Sequence, residues 1–259
     1  MTDDFKLLLN ATIQMYVDCI KHATRGFLRN WIVLLASVAL CGIFLLSLNL
    51  FGRIGMAGGF IIGFISAVLT GQYYSWLSIT VDKDRIDLSD LYRINWPMFI
   101  SVISISFLLF IIYIVTSPMQ HGAVGREGIL ILYLLIVFAF NALPEVTYIR
   151  RYESINAFSE ALRFTKENWI EWYLPLLILI LPFIFIAIDP IAILIQFALI
   201  SPLLPGVLII SLWSSIFSPK LGLLLGFLLA HWYMLFRGFL YKELESGSRR
   251  RRVYLAKQK

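Results

Sequence analysis

Five stretches of this chain run for about twenty residues or more with almost no charge: Trp31–Phe51, Ile54–Val81, Met98–Ser117, Ile129–Ile149 and Leu221–Tyr241. The first three contain no charged residue, and the last two contain one each, Glu145 and Arg237. A helix crossing the hydrocarbon core needs roughly 20 apolar residues, since each advances about 1.5 Å through ~30 Å of lipid. Backbone amides left unpaired in lipid are costly, so such runs are expected to be helical. The totals agree: 59% of the 259 residues are hydrophobic and 15% charged, against about 25% charged in a soluble domain. With a mean hydropathy of +0.81, the chain reads as neither a soluble globule nor a disordered segment.

A sixth apolar run starts near Trp172 and continues, with breaks, to about Phe217. Six crossings with the N-terminus inside place every Lys and Arg but Arg53, Arg126 and Lys220 on the cytoplasmic side. That partition follows the positive-inside rule, so both termini are expected to face the cytoplasm. The region Asp189–Pro219 has no Lys or Arg and falls into Ile191–Ile200 and Leu203–Phe217, broken by Pro202, Pro205 and Gly206. A full crossing by Leu203–Phe217 would put the basic tail outside, so a broken hairpin in or re-entering the outer leaflet is expected. The acidic start Met1-Thr2-Asp3-Asp4 is not a cleavable signal, and the first apolar run is expected to be retained.

Asn30-Trp31, Asn95-Trp96 and Asn168-Trp169 each stand where a polar segment becomes an odd-numbered span, at spacings of 65 and 73 residues. Before each lies an expected surface helix: Phe5–Arg29, the shorter Asp87–Ile94, and Ser154–Glu167. In the first, Phe5, Leu8, Leu9, Thr12, Met15, Tyr16, Cys19, Ile20, Ala23 and Phe27 recur at helical spacing. In the last, Ile155, Phe158, Ala161, Leu162 and Thr165 do so. Asp87 and Asp90 are spaced as an N-cap and a first-turn acid. The recurring unit is an interfacial helix, an Asn-Trp bend at headgroup depth, and a two-span hairpin. The expected fold is therefore an all-α integral membrane protein of six transmembrane helices in three parallel-repeat hairpins. The units cover residues 5–81, 82–149 and 150–245 of a single transmembrane domain 1–245, followed by a basic tail 246–259.

Ala157–Trp169 (Ala-Phe-Ser-Glu-Ala-Leu-Arg-Phe-Thr-Lys-Glu-Asn-Trp) and Phe239-Leu240-Tyr241-Lys242-Glu243-Leu244 carry a further likeness. In them the chain resembles bacterial six-span membrane families that include the membrane domain attached to glycerophosphodiester phosphodiesterases. The resemblance implies a multi-pass protein of the bacterial cytoplasmic (inner) membrane. The catalytic domain of those enzymes is not among these residues, so none of its chemistry carries over.

Gly55, Gly59, Gly63, Ala67 and Gly71 are each four apart on the second span, and Gly222, Gly226 and Ala230 repeat that interval on the last. Ridges of small side chains let another backbone approach closely, either within the bundle or in a homodimer. Charged residues inside spans are functional suspects. Glu145 and Arg237 lie at similar depth near the inner ends of their spans, and they either pair or reach separately to the headgroups. Asn49, Gln72, Asn141, Gln196 and His231 are single polar residues expected to bridge helices.

No P-loop, Gly-x-Ser-x-Gly or His-Glu-x-x-His motif is present. His22, His121 and His231 fall at different depths, Cys19 with His22 supplies only two ligands, and no cofactor or metal is expected. Cys19 and Cys41 give no disulfide framework. Arg249, Arg250, Arg251 and Arg252 are expected to contact anionic lipids at the inner leaflet at about 1 kcal/mol each; nucleic-acid binding would need a folded aromatic platform. The function expected is a non-catalytic membrane scaffold or accessory subunit, meeting partner subunits through Phe5–Arg29, Asp82–Asn95 and Arg150–Glu167. The alternatives are a transporter or channel lined by Asn49, Gln72, Asn141 and His231, or a lipid-handling protein working near Asp189–Phe217.

Overall fold

The computed structural model describes residues 3–116, 125–186, 203–216 and 219–247. Asp189, Ile191–Ile200, Gln196, His121 and Arg249–Arg252 lie outside these residues. Among the described residues all regular structure is helical, and five helical stretches are long and apolar enough to cross a membrane: Trp31–Phe51, Met56–Lys83, Leu88–Thr116, Leu130–Arg150 and Lys220–Ser246.

Helix α1 (Asp3–Arg29) is amphipathic and lies against the last helix of the chain. Its buried face is Met15, Cys19 and Ala23, spaced i, i+4, i+8, whereas Leu9 and Ile20 from the same apolar set stay exposed. Helix α2 (Trp31–Phe51) packs on α3 (Met56–Lys83) and buries little else, only Val33, Ser37 and Ser47. The turn between them needs a glycine: Gly55 has φ +66°, a conformation closed to most L-residues. The short α4 (Leu88–Tyr92) starts where the Asp90 carboxylate accepts the Asp87 N–H at 3.3 Å. Helix α5 (Trp96–Thr116) then returns along α3.

The fourth apolar run is not one helix. It divides into α6 (Gly125–Ala139) and α7 (Leu143–Arg150), with the break at 140–142 just before Pro144. Proline has no N–H to continue the ladder, and the break frees carbonyls inside the bundle. Helix α8 (Ser154–Ile186) joins the amphipathic segment that starts at Ser154 to the following apolar run through a kink at Asn168. Its buried face corrects the expected one. Ala157, Ala161, Phe164 and Thr165 are enclosed, while Ile155 and Leu162 are exposed, because this helix is apolar on two sides and packing selects one.

Helix α9 (Gly206–Ile216) is eleven residues long, about 16 Å, or half a hydrocarbon core. It lies antiparallel to the N-terminal half of α10 (Pro219–Ser246): Gly222 faces Trp213 and Ser214, and Gly226 faces Ile210. The Leu203 carbonyl ahead of α9 accepts the Tyr74 hydroxyl, so this end is anchored to α3. Helix α10 is the axis of the bundle. Of its apolar window 56% of residues are buried, against 17% for α2, and it touches α1, α3, α7, α8 and α9.

Candidate functional site

The most enclosed polar cluster forms where the break in the fourth run meets α10. The Arg237 side chain is 2% exposed and that of Glu145 0%, which removes both from the headgroups. Arg237 Nε donates to Glu145 Oε1 at 2.8 Å and Nη2 to Oε2 at 2.7 Å, a bidentate fork. Nη1 donates to Asn141 Oδ1 at 2.8 Å, and Nη2 also reaches the Asn141 carbonyl freed by the break. The Trp172 indole N–H donates to the same Asn141 Oδ1 at 3.1 Å, and its ring lies 4.7 Å from the guanidinium carbon. The Tyr233 ring supplies a second aromatic face.

The remaining loose ends are tied nearby. The Tyr173 hydroxyl donates to the Phe138 carbonyl, and that of Tyr148 to the Met234 carbonyl at 3.2 Å. Gly238 makes room for the Tyr148 ring, since a Cβ there would stand 2.7 Å from its hydroxyl. Towards the helix ends, Lys242 pairs with Asp82 at 2.6 Å, and Arg150 pairs with Glu245. The donors of Arg237 are thus spent on internal partners, and the cluster is a strut joining α7, α8 and α10. Asn141 and Trp172 are the members that the sequence did not single out as partners. The available signal was the Asn141–Glu145 spacing of four, which puts both on one helical face.

The three Asn-Trp pairs all stand at helix breaks, with Trp31, Trp96 and Trp169 exposed to 60%, 56% and 54%. Asn30 (φ −112°, ψ 34°) and Asn168 (φ −124°, ψ 19°) share one backbone conformation. Both return the side-chain amide to the carbonyl four residues back, on Gly26 and Phe164. Asn95 instead caps α5, accepting the Met98 N–H, and donates to Ser75. The C-terminal ends of α3 and α7 also match. Asp84 and Arg151 are left-handed (φ 60° and 58°), and each sends its N–H to a threonine carbonyl, Thr80 or Thr147, at 3.1 Å.

The two small-residue ridges have different fates. Gly222, Gly226 and Ala230 lie under α9 or its approach, and a Cβ on Gly226 would stand 2.8 Å from Ile210 Cα. Gly71 touches the α5 backbone at Phe99, and Ala67 is buried. Gly59 and Gly63 have nothing within 4 Å of a built Cβ, and Gly55 serves the turn.

Asn49, Gln72, Asn141 and His231 do not line one path. Asn49 bonds its own helix at Leu45, and Gln72 holds the carbonyls of Leu91 in α4 and of Arg93 just after it. Asn141 belongs to the strut, and His231 Nδ1 lies 3.1 Å from the Tyr73 hydroxyl. Among the described residues no three His, Cys, Asp or Glu side chains gather as metal ligands would. Cys19 is enclosed between α1 and α10; burial first, then Glu243 and Asp18, pushes its thiol up to about 12. Comparisons with protein-family models, curated proteins and solved structures find no match.

Proposed function

We propose that the chain is a non-catalytic scaffold or accessory subunit of a complex in the bacterial inner membrane. In this reading it crosses six times as three repeats, with both ends in the cytoplasm and Arg249–Arg252 on anionic lipid. The observation that carries the role is the state of α1. It is pinned on one side, where the Tyr16 hydroxyl donates to the Glu171 carbonyl at 2.8 Å and the Trp232 indole to Thr24 at 3.1 Å. On another side it keeps a row of bare apolar side chains, Leu9, Ile13, Val17 and Ile20. Leu88 and Tyr92 of α4, and Ile155 and Leu162 of α8, are bare in the same way on the other two interfacial segments.

A fixed helix with an uncovered apolar row suits docking of an amphipathic partner helix. The spent donors of the Arg237 cluster fit a framework better than a carrier, which needs groups free to bind its cargo. Native mass spectrometry of protein extracted in polymer discs tests the reading. A stoichiometric partner is expected with the natural chain and is lost with Ile13→Glu plus Val17→Glu. A chain found without a partner, or a partner indifferent to those changes, overturns it.

A further inference from the structure

We propose that the cavity between α2, α3, α9 and α10 is a binding site for one acyl chain of a bilayer phospholipid. Its volume is about 380 Å³, within the ~300–1,000 Å³ of small-ligand sites. It is hollowed by small residues: Ser37 and Cys41 on α2, and Ser66 and Thr70 on α3, each pair four apart on one helical face. Gly206 and Ala230 keep the opposite wall low.

Three of the walls belong to the middle of the long apolar helices α2, α3 and α10, so the cavity lies at hydrocarbon depth. No charged side chain lines it, and two of its polar features are already paired: Tyr73 with His231 at 3.1 Å, and Ser37 with the Val33 carbonyl at 2.8 Å. A polar ligand therefore finds no buried charge to answer it, and water does not fill apolar cavities of this kind. Two of the lining side chains, Leu45 on α2 and Val207 on α9, are exposed at 58% and 43%. They mark a lateral mouth between the two helices, and α2 closes on α3 rather than on α9. The medium at that mouth is lipid chain. An unfilled cavity forfeits the dispersion contacts of its walls, and an inserted chain restores them while its headgroup stays in the leaflet. This site is independent of the docking role of α1.

The test uses the full chain in nanodiscs of phosphatidylethanolamine and phosphatidylglycerol, doped with a phospholipid bearing a diazirine midway along one acyl chain. After irradiation, adducts are mapped by mass spectrometry. They are expected to concentrate on residues 37–45 and 204–210, above the level on the lipid-facing Phe107 and Val115 of α5. Ser66→Phe, which fills the floor, should abolish the excess and leave the α5 adducts unchanged; Ser66→Ala should keep both. Adducts spread evenly over cavity and α5 overturn the proposal, as does an excess that survives Ser66→Phe. An excess displaced by free fatty acid, or replaced by crosslinks to a second copy of the chain, also overturns it. Should Ser66→Phe fail to assemble, the natural chain's adduct distribution decides alone.

Discussion

Changing Glu145 to Gln removes the charge that Arg237 faces and leaves a guanidinium at 2% exposure, with only Asn141 and two aromatic rings for company. Two unit charges about 4 Å apart attract by about 4 kcal/mol at an effective dielectric near 20. Breaking one side of a buried pair costs about 3–5 kcal/mol in soluble proteins. The two figures agree, so Glu145→Gln is expected to cost about 4 kcal/mol, a fall in melting temperature on the order of 10 °C. Arg237→Met should cost a similar amount, because it strands the carboxylate. The double variant Glu145→Gln with Arg237→Met buries no charge and should lose less than the sum, with a coupling of about 2–3 kcal/mol. The assay is heat or detergent unfolding of all four proteins in the same micelle. Singles costing under about 1 kcal/mol each, with additive effects, would refute the claim that this pair braces α7 against α10.

Gly226→Leu should destabilise the α9–α10 hairpin or prevent folding, since the backbone of Ile210 stands where its side chain must go. Gly59→Ala on the bare half of the other ridge should be neutral, or raise stability by up to about 1 kcal/mol through helix propensity; equal losses at both sites would sink the distinction. Asn30→Ala should cost about 2–3 kcal/mol, read by thermal unfolding, since the buried side chain serves Gly26, Asp84 and Ile86 together. Asn168→Ala should cost less, because its recorded bond reaches Phe164 alone. Cys19, with its thiol raised from 9.0 to about 12, should resist a water-soluble maleimide at pH 8 until the chain is unfolded. The raised value also makes folding stability fall as pH climbs from 9 towards 12, because the unfolded thiol ionises first. Rapid labelling of the folded chain would contradict its enclosure.

The five apolar stretches could be read from sequence because membrane thickness imposes a length that few other constraints imitate. The Asn-Trp bends were visible for a related reason: Trp favours the interface, and Asn is a residue that tolerates a break. The depths of Glu145 and Arg237 in their runs were equally plain. What the pattern hid was local. Within 140–142 only Asn141 interrupts the apolar run, so hydropathy alone does not separate α6 from α7, and the carbonyls that accept from Arg237 and Tyr173 were invisible with it. In α8, periodicity offered two apolar sides and could not choose. The spacing of small residues marked a face on α3 but not the length of neighbour covering it, and so Gly59 and Gly63 differ from Gly71.

Glu145 leaves the ribosome 92 residues before Arg237. Until the final helix arrives, the fourth segment carries an acid with no counterion, at an insertion cost on the order of 3 kcal/mol, together with the backbone carbonyl of Asn141 that Arg237 will bond. Biogenesis thus has a built-in last step. One late arginine supplies the missing partner, and a chain truncated ahead of it leaves the Glu145 carboxylate uncovered.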